Sequence, residues 1–213
     1  MKKSQKSKNP MTKMLSFVFI ILLASCATTK SPSNSGFLED YSRLRADQNG
    51  DRSMQWWEKK DFNWSQYRKI MLDPVVLYDH MEAKDKKIDS EKAKKLTDYF
   101  RNTVEKKLAN KYPIVIAPGP DVLRIRTAIT EIIPASPTIN YPAMAVAFFP
   151  IDMGGAVIEV EFLDSETNEV IATMVDKKMG SPFKPRAFSR MGYTRAAFDG
   201  WAKELRIALD TNP

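Results

Sequence analysis

Apolar residues along the chain follow helical spacing in two long segments. Between Asp89 and Lys111 they recur every three or four positions, which predicts a long amphipathic helix with one buried face. A second helix is predicted from Thr194 to Asp210, where Phe198, Trp201 and Leu205 fall on one side. Each helix therefore has one face suited to covering a sheet.

Strand-like patterns lie before and between these helices. The clearest alternates apolar and polar residues from Leu123 to Ile129, and an Asp164–Asn168 loop joins two further runs as a hairpin. Strands are predicted over 68–78 with an interruption at Asp73-Pro74, and over 113–117, 123–129, 156–163 and 170–177. This order predicts an α+β fold, a mixed and mostly antiparallel sheet covered by two helices.

A glutamate pair, a tryptophan pair and one apolar segment need an interpretation within this fold. Glu159 and Glu161 share one face of a strand, and we interpret that face as solvent-exposed and non-catalytic. Trp56 and Trp57 lie in a polar segment, where they either cover a core edge or form a binding platform. The spacing of apolar residues from 37 to 44 predicts a short amphipathic turn that docks on the domain.

The first 25 residues have the layout of a secretory signal peptide. A lysine-rich start precedes ten residues from Met14 to Leu23, a core too short for the roughly 20 residues that span a bilayer. Leu23-Ala24-Ser25-Cys26 resembles the bacterial lipobox, which implies cleavage before Cys26 and its acylation with chains such as palmitate. An ordinary cleaved signal and an uncleaved membrane helix are the alternatives.

The domain organisation follows from this signal. We predict a signal peptide at 1–25, a lipid anchor and flexible tether at 26–36, and a single periplasmic domain at 37–213. The residue after the cysteine is Ala27 rather than aspartate, a pattern that resembles Gram-negative lipoproteins delivered to the outer membrane. We therefore expect a lipid-anchored protein that faces the periplasm.

Charge and composition exclude several classes of function. The net charge of +7 comes largely from five lysines of the signal, so the predicted mature chain gives no reason to expect nucleic acid. Cys26 is the only cysteine and His80 the only histidine, which excludes disulfides and multi-histidine metal sites. Glycine-rich nucleotide motifs, a nucleophile elbow and a zinc-protease motif are missing from the sequence. We expect no enzyme and no cofactor.

One segment partly matches a calcium-binding loop. Asp47, Asn49, Asp51 and Glu58 stand at loop positions 1, 3, 5 and 12 of an EF-hand-like site. Arg52 replaces the glycine that the sharp turn requires, which disfavours the site. We regard a polar turn as the better interpretation.

Two segments are candidates for contact with a partner. The apolar stretch from Ile139 to Ile151 lies either buried beneath the sheet or a helix, or on the surface as an interaction loop for a partner or the membrane. The stretch from Phe183 to Tyr193 mixes aromatic and basic residues, and is either an ordinary loop or a contact surface. The candidate partner-binding residues are Tyr141, Phe148, Phe149, Phe183, Arg186 and Arg190.

Several segments together carry a family resemblance. They are SGFLEDYSRL at 35–44, YRKIMLDPV at 67–75, APGP at 117–120, LRIR at 123–126, IEVEFLDSET at 158–167 and AFDGWA at 197–202. The set resembles a Gram-negative lipoprotein family known only as a domain of unknown function, over essentially the whole mature chain. That family supplies no catalytic residues. The element order is also similar to small periplasmic lipoprotein domains, which work by binding partners.

From this resemblance we expect an outer-membrane-anchored periplasmic lipoprotein. Its expected role is a non-enzymatic binding, assembly or accessory module for another envelope protein or a cell-wall partner. The alternative is a carboxylate-dependent envelope hydrolase or a lipoprotein that binds a small ligand.

Overall fold

The computed structural model describes residues 34–46, 53–78, 90–147, 152–181 and 189–211. Within these ranges one sheet and three α-helices account for most of the regular structure. The strands are β1 (Arg45–Ala46), β2 (Met54–Glu58), β3 (Lys69–Leu72), β4 (Val76–Leu77), β5 (Ile114–Val115), β6 (Val122–Ile133), β7 (Gly155–Asp164) and β8 (Val170–Met179). The helices are α1 (Ser90–Leu108), α2 (Pro137–Ala147) and α3 (Gly192–Thr211).

The sheet is mixed and mostly antiparallel, which confirms the predicted fold class. Its strands lie in the order β1-β2-β8-β7-β6-β3-β5, with β4 also beside β6. The pairs from β1 through β6 are antiparallel, whereas β3 and β4 run parallel to β6, and β3 runs parallel to β5. The predicted interruption at Asp73-Pro74 is the gap between β3 and β4. At this gap, the Arg124 side chain of β6 donates hydrogen bonds to both carboxylate oxygens of Asp73, at 3.0 and 2.8 Å.

The two predicted helices, α1 and α3, cover one face of the sheet and enclose the main core. Phe100 of α1 packs against Phe198 of α3 with ring centroids 4.8 Å apart, and Ile158 of β7 lies buried beneath them. Glu91 in the first turn of α1 and Lys106 in its last turn complement the helix dipole. The helical spacing in the sequence therefore identified the correct buried faces.

The opposite face of the sheet is covered by an irregular segment near the start of the described chain. We call residues 35–44 the strap. Leu38 and Leu44 of the strap are buried against Val157 of β7 and Val175 of β8. The predicted docking of this segment is confirmed, and its backbone consists of bends and one turn. The docked chain begins at Ser35, inside the stretch predicted as tether.

Two elements differ from the sequence prediction. The apolar stretch from Ile139, for which burial and an exposed interaction loop are the two interpretations, begins with helix α2, which contains Pro142. The polar segment before Lys60 contains β2, which pairs with β8 along five residues. None of the helices within the described residues is long and apolar enough to cross a membrane.

Candidate functional site

Two buried glutamates lie at the centre of the strap-covered face. Glu159 and Glu161 on β7 are both 0% exposed, so the prediction that they face solvent is wrong. They do share one face of the strand, as period-two spacing requires. The strap supplies the cover, and it comes from more than 115 residues earlier in the chain.

Glu159 is held by three donors from the strap. The Ser35 backbone N–H donates to Oε1 at 3.1 Å, and the Ser35 hydroxyl donates to Oε2 at 2.9 Å. The Tyr41 hydroxyl donates to the same Oε2 at 2.5 Å. Burial, followed by the hydrogen bond to Glu159, raises the pKa of Tyr41. A buried carboxylate needs such donors, because leaving it unpaired costs far more than a neutral group would.

Glu161 is paired with a cation. Arg126 Nη1 on β6 lies 2.6 Å from Glu161 Oε2, and the Glu39 backbone N–H donates to Oε1 at 3.3 Å. The Arg126 guanidinium also lies 5.3 Å from the ring centroid of Phe37 in the strap. Burial raises the pKa of Glu161, and the opposing charge of Arg126 only partly offsets this effect.

Strand register aligns Glu161 with three further side chains. Trp57 of β2 pairs with Thr173 of β8, Thr173 pairs with Glu161 of β7, and Glu161 pairs with Arg126 of β6. We call Trp57, Thr173, Glu161 and Arg126 the polar row. A pocket of about 510 Å³ opens above it. The strap and the β7–β8 loop form its sides, and its lining residues are Glu39, Asp40, Arg43, Trp57, Lys59, Glu161, Asn168, Glu169, Val170 and Thr173.

A second, more apolar groove of about 710 Å³ lies on the helix-covered face. Trp56, Trp64 and Trp201 line it, and each indole N–H already has a carboxylate acceptor. Trp56 and Trp64 donate to Glu58 at 3.3 and 2.8 Å, and Trp201 donates to Asp176 at 2.6 Å. The two tryptophans that are adjacent in the sequence therefore lie on opposite faces of the sheet. Trp56 lines this groove, and Trp57 belongs to the polar row.

Helix α2 is held through Asn140 and also exposes several apolar side chains. The buried amide of Asn140 donates to the Asp152 carbonyl at 2.8 Å and accepts from the Asp152 N–H at 2.9 Å. By contrast, Ile139 is 47% exposed, Tyr141 61% and Val146 82%. No charged residue occurs in the sequence from 132 to 151.

The predicted site residues have different positions in this architecture. Tyr141 lies exposed on α2, and Arg190 lies exposed in the turn before α3, where its carbonyl accepts from Ala135 N–H. Tyr193, at the end of the second candidate segment, is buried in α3 and does not face a partner. Glu58 of the calcium prediction instead accepts two indole N–H groups. Outside the described residues lie Cys26, Asp47, Asn49, Asp51, His80, Phe148, Phe149, Phe183 and Arg186.

Fold and site together define a small α+β domain whose sheet is covered by helices on one face and by a strap on the other. The chain belongs to the family of unknown function DUF3313, which matches residues 33–205. This match confirms the resemblance to an uncharacterised family. Among its relatives, the uncharacterised lipoprotein YdcL of Escherichia coli K12 is 24% identical over 191 residues, covering 81% of this chain and 85% of YdcL.

Solved structures show a more distant likeness. A PelC dodecamer from Paraburkholderia phytofirmans is 10% identical with a TM-score of 0.41, covering 72% of this chain and 96% of the PelC chain. A DUF4136 family protein from Bacteroides thetaiotaomicron is 11% identical with a TM-score of 0.40, covering 75% of this chain and 97% of that protein.

Proposed function

We propose that the protein is a lipoprotein of the Gram-negative outer membrane whose periplasmic domain binds another envelope protein without catalysing a reaction. The lipobox-like sequence ending at Cys26 and the lipoprotein relative support the anchor. The exposed apolar side chains of α2 are the observation that supports the binding role, because large exposed apolar patches on a protein surface commonly mark interaction sites.

The chemistry of α2 favours a protein over the other envelope components. A helix that lies on a membrane surface typically carries lysine and arginine on its polar face, and α2 has neither. A cell-wall polymer would need hydrogen-bonding and charged groups, whereas Ile139 and Val146 offer only apolar surface. An apolar groove on a protein accepts a helix of this kind through anchors spaced along one side. Ile139 and Val146 are separated by two helical turns and fall on one side.

The test combines crosslinking in living cells with affinity purification of the lipidated protein. The double variant Ile139→Asp with Val146→Asp should lose a stoichiometric partner that the unaltered protein captures. Its thermal unfolding temperature should fall only slightly, because Val146 is 82% exposed and Ile139 is about half exposed. The matched control is Ile116→Asp, at a site 96% exposed and outside α2, which should retain the partner. Retention of the partner by the double variant would exclude α2 as the contact surface.

The anchor is tested separately. Labelling with a fatty-acid analogue should modify the protein, and Cys26→Ala should abolish the label. Density-gradient separation of the envelope should place the labelled protein in the outer-membrane fraction. Recovery in the inner membrane, or labelling that survives Cys26→Ala, would contradict the proposed anchor.

A further inference from the structure

We infer that the strap is a releasable latch that keeps residues 35–44 in reserve as additional tether. In the docked state, the strap lies on the sheet through hydrogen bonds to Glu159 and Glu161 and through the buried side chains of Leu38 and Leu44. In the released state, the strap leaves the sheet while the helix-covered side of the domain stays folded. The inference does not use the proposed role of α2.

The backbone of the strap takes no part in the hydrogen-bond ladder of the sheet. Within the described residues, its one backbone–backbone hydrogen bond joins the Leu44 N–H to the Tyr41 carbonyl at 3.2 Å, inside the strap itself. The described chain first enters the sheet at β1, where Arg45 pairs with Trp56 of β2. Strand β7, which lies beneath the strap, already pairs with β6 and β8 on its two edges. Release of the strap therefore leaves the ladder intact.

The hydrogen bonds between strap and sheet end on two carboxylates. Ser35 and Tyr41 donate to Glu159, and the Glu39 backbone N–H donates to Glu161. Water supplies donors to a carboxylate that becomes exposed, so the exchange costs much less than the full strength of the hydrogen bonds. The polar contacts therefore position the strap without holding it permanently.

The apolar contact of the strap is a small cluster apart from the main core. Leu38 and Leu44 are buried against Val157 and Val175, and these four residues form a cluster of their own. The main core lies between the helices and the other face of the sheet, and among the described residues it contains none from the strap. Release therefore exposes the small cluster and leaves the main core intact. A segment held by few buried apolar contacts typically opens without unfolding of the whole domain.

Two contacts between arginine and an aromatic ring complete the docked state. The Arg43 guanidinium of the strap lies 4.8 Å from the ring centroid of Trp57, and the Arg126 guanidinium of β6 lies 5.3 Å from that of Phe37 in the strap. The two arginine side chains are 52% and 34% exposed. Cation–π contacts are weak when the cation remains in contact with water, so they add little to the docking.

The sheet face beneath the strap carries polar groups that water can hydrate. Glu161 and Thr173 pair across β7 and β8, and Arg126 of β6 stays beside Glu161 whether or not the strap is docked. The Thr173 hydroxyl is buried and has no hydrogen-bond partner within the described residues. A buried hydroxyl without a partner costs free energy, and hydration after release recovers it. This unpaired group therefore weakens the docked state relative to the released one.

Release lengthens the chain between the domain and its anchor. Residues 35–44 lie between Cys26 and β1 in the sequence. Fully extended, these ten residues span roughly 33–36 Å, which adds to the distance that the domain can reach from the membrane. A partner that binds the domain farther from the membrane favours the released state, because only that state reaches it. This consequence rests on the proposed anchor at Cys26, whereas the release itself does not.

Thiol labelling of the full chain in detergent tests the release. Every variant carries Cys26→Ala, so the introduced thiol is the only one and the result does not depend on lipidation. Val157→Cys places a thiol beneath the strap, and the matched Val160→Cys places one on the other face of the same strand, in the main core. In native buffer, Val157→Cys should react with a thiol reagent at least about 100-fold faster than Val160→Cys, because release of the strap suffices to expose it.

Two further substitutions identify the opening that exposes the thiol. Tyr41→Phe weakens the docking of the strap and should speed the labelling of Val157→Cys roughly tenfold. Val104→Ala weakens the main core and should speed the labelling of Val160→Cys roughly tenfold while leaving Val157→Cys unchanged. The inference is overturned if the two thiols react equally fast, if Tyr41→Phe leaves Val157→Cys unchanged, or if Val104→Ala speeds both thiols equally.

Hydrogen exchange on the unaltered protein, followed by mass spectrometry, is a second measurement that needs no introduced cysteine. Exchange of the amides in residues 35–44 should hardly change at low denaturant concentrations, whereas exchange of the β7 amides should depend steeply on denaturant. An equally steep dependence in both segments would mean that the strap leaves the sheet only when the whole domain unfolds, which overturns the inference. Neither measurement uses the lipid, so a failure of the proposed anchor would not change either result.

Discussion

The Tyr41 hydroxyl donates to Oε2 of Glu159 at 2.5 Å and thereby joins two residues 118 positions apart in the chain. The same hydroxyl accepts backbone N–H groups from Gly36 at 2.8 Å and from Leu38 at 3.2 Å. One phenolic oxygen therefore both closes the turn of the strap and attaches that turn to the sheet.

Removal of this hydroxyl should loosen the strap. Tyr41→Phe leaves Glu159 buried with one donor fewer, and we expect the free energy of unfolding to fall by about 1–3 kcal/mol. Chemical denaturation measures the loss. The control is Tyr193→Phe, because the buried Tyr193 hydroxyl has no hydrogen-bond partner within the described residues and its removal should not destabilise the protein. Equal losses in the two variants would argue against the strap contact.

The apolar side of the strap gives a second prediction. Leu38→Ala removes a side chain that is buried on Val157 and Val175, and it should lower the free energy of unfolding by about 2–4 kcal/mol. Ile116→Ala removes a comparable side chain that is almost wholly exposed, so its effect should stay within about 0.5 kcal/mol. A negligible effect of Leu38→Ala would mean that the strap is not packed in solution.

The buried glutamate next to Arg126 should make stability depend on pH. Because the pKa of Glu161 is raised in the folded state, the folded protein keeps its proton at a pH where the unfolded chain has lost it. The resulting stabilisation is complete below the ordinary pKa of 4.5 and is lost as the pH rises from there through the folded-state pKa. Thermal unfolding, compared across this range, should show the wild-type protein losing stability relative to Glu161→Gln as the pH rises.

A further variant sharpens the pH prediction. Arg126→Met removes the cation that partly offsets the burial of Glu161, so the pKa of Glu161 should rise further. The decline in stability should then extend to higher pH than in the wild type. Identical pH profiles for the wild type and Arg126→Met would contradict the assigned pairing.

Two glycines should respond in opposite ways to alanine. At Gly154 a Cβ atom would lie 2.4 Å from the Ile133 carbonyl oxygen and 2.7 Å from the Ala135 nitrogen, so Gly154→Ala should destabilise the protein. At Gly200, inside α3, the nearest atom would be 3.6 Å away. Gly200→Ala should therefore raise the free energy of unfolding by about 0.4–1 kcal/mol through helix propensity. A thermal shift assay on both variants checks the two signs.

Elements with a regular local pattern could be predicted from the sequence. Helices α1 and α3 show one apolar stripe each, and the β7–β8 hairpin joins two strand patterns by a polar loop. Helix α2 could not be recognised, because Pro142 in its interior removes a backbone donor and mimics a loop signal. Strand β2 was missed since its tryptophans face opposite sides of the sheet and show no polar alternation.

The environment of Glu159 and Glu161 depends on information that local patterns do not hold. The alternation of side chains along a strand places both glutamates on one face, but whether that face is buried depends on the distant strap that covers it. The alignment of Thr173 with Trp57 and Glu161 likewise depends on strand register across three strands. For the pocket above the polar row, the one signal in the sequence was the Trp56-Trp57 pair, for which a binding platform was one of two interpretations.

The position of the strap in the chain also constrains the order of folding. Ser35 and Tyr41 are synthesised long before Glu159. Both become buried only when they contact Glu159 on β7, a strand that pairs with both β6 and β8. Contacts across so much sequence form late, because the loop between them costs entropy to close. The first residues of the domain to be synthesised are thus expected to be among the last to pack.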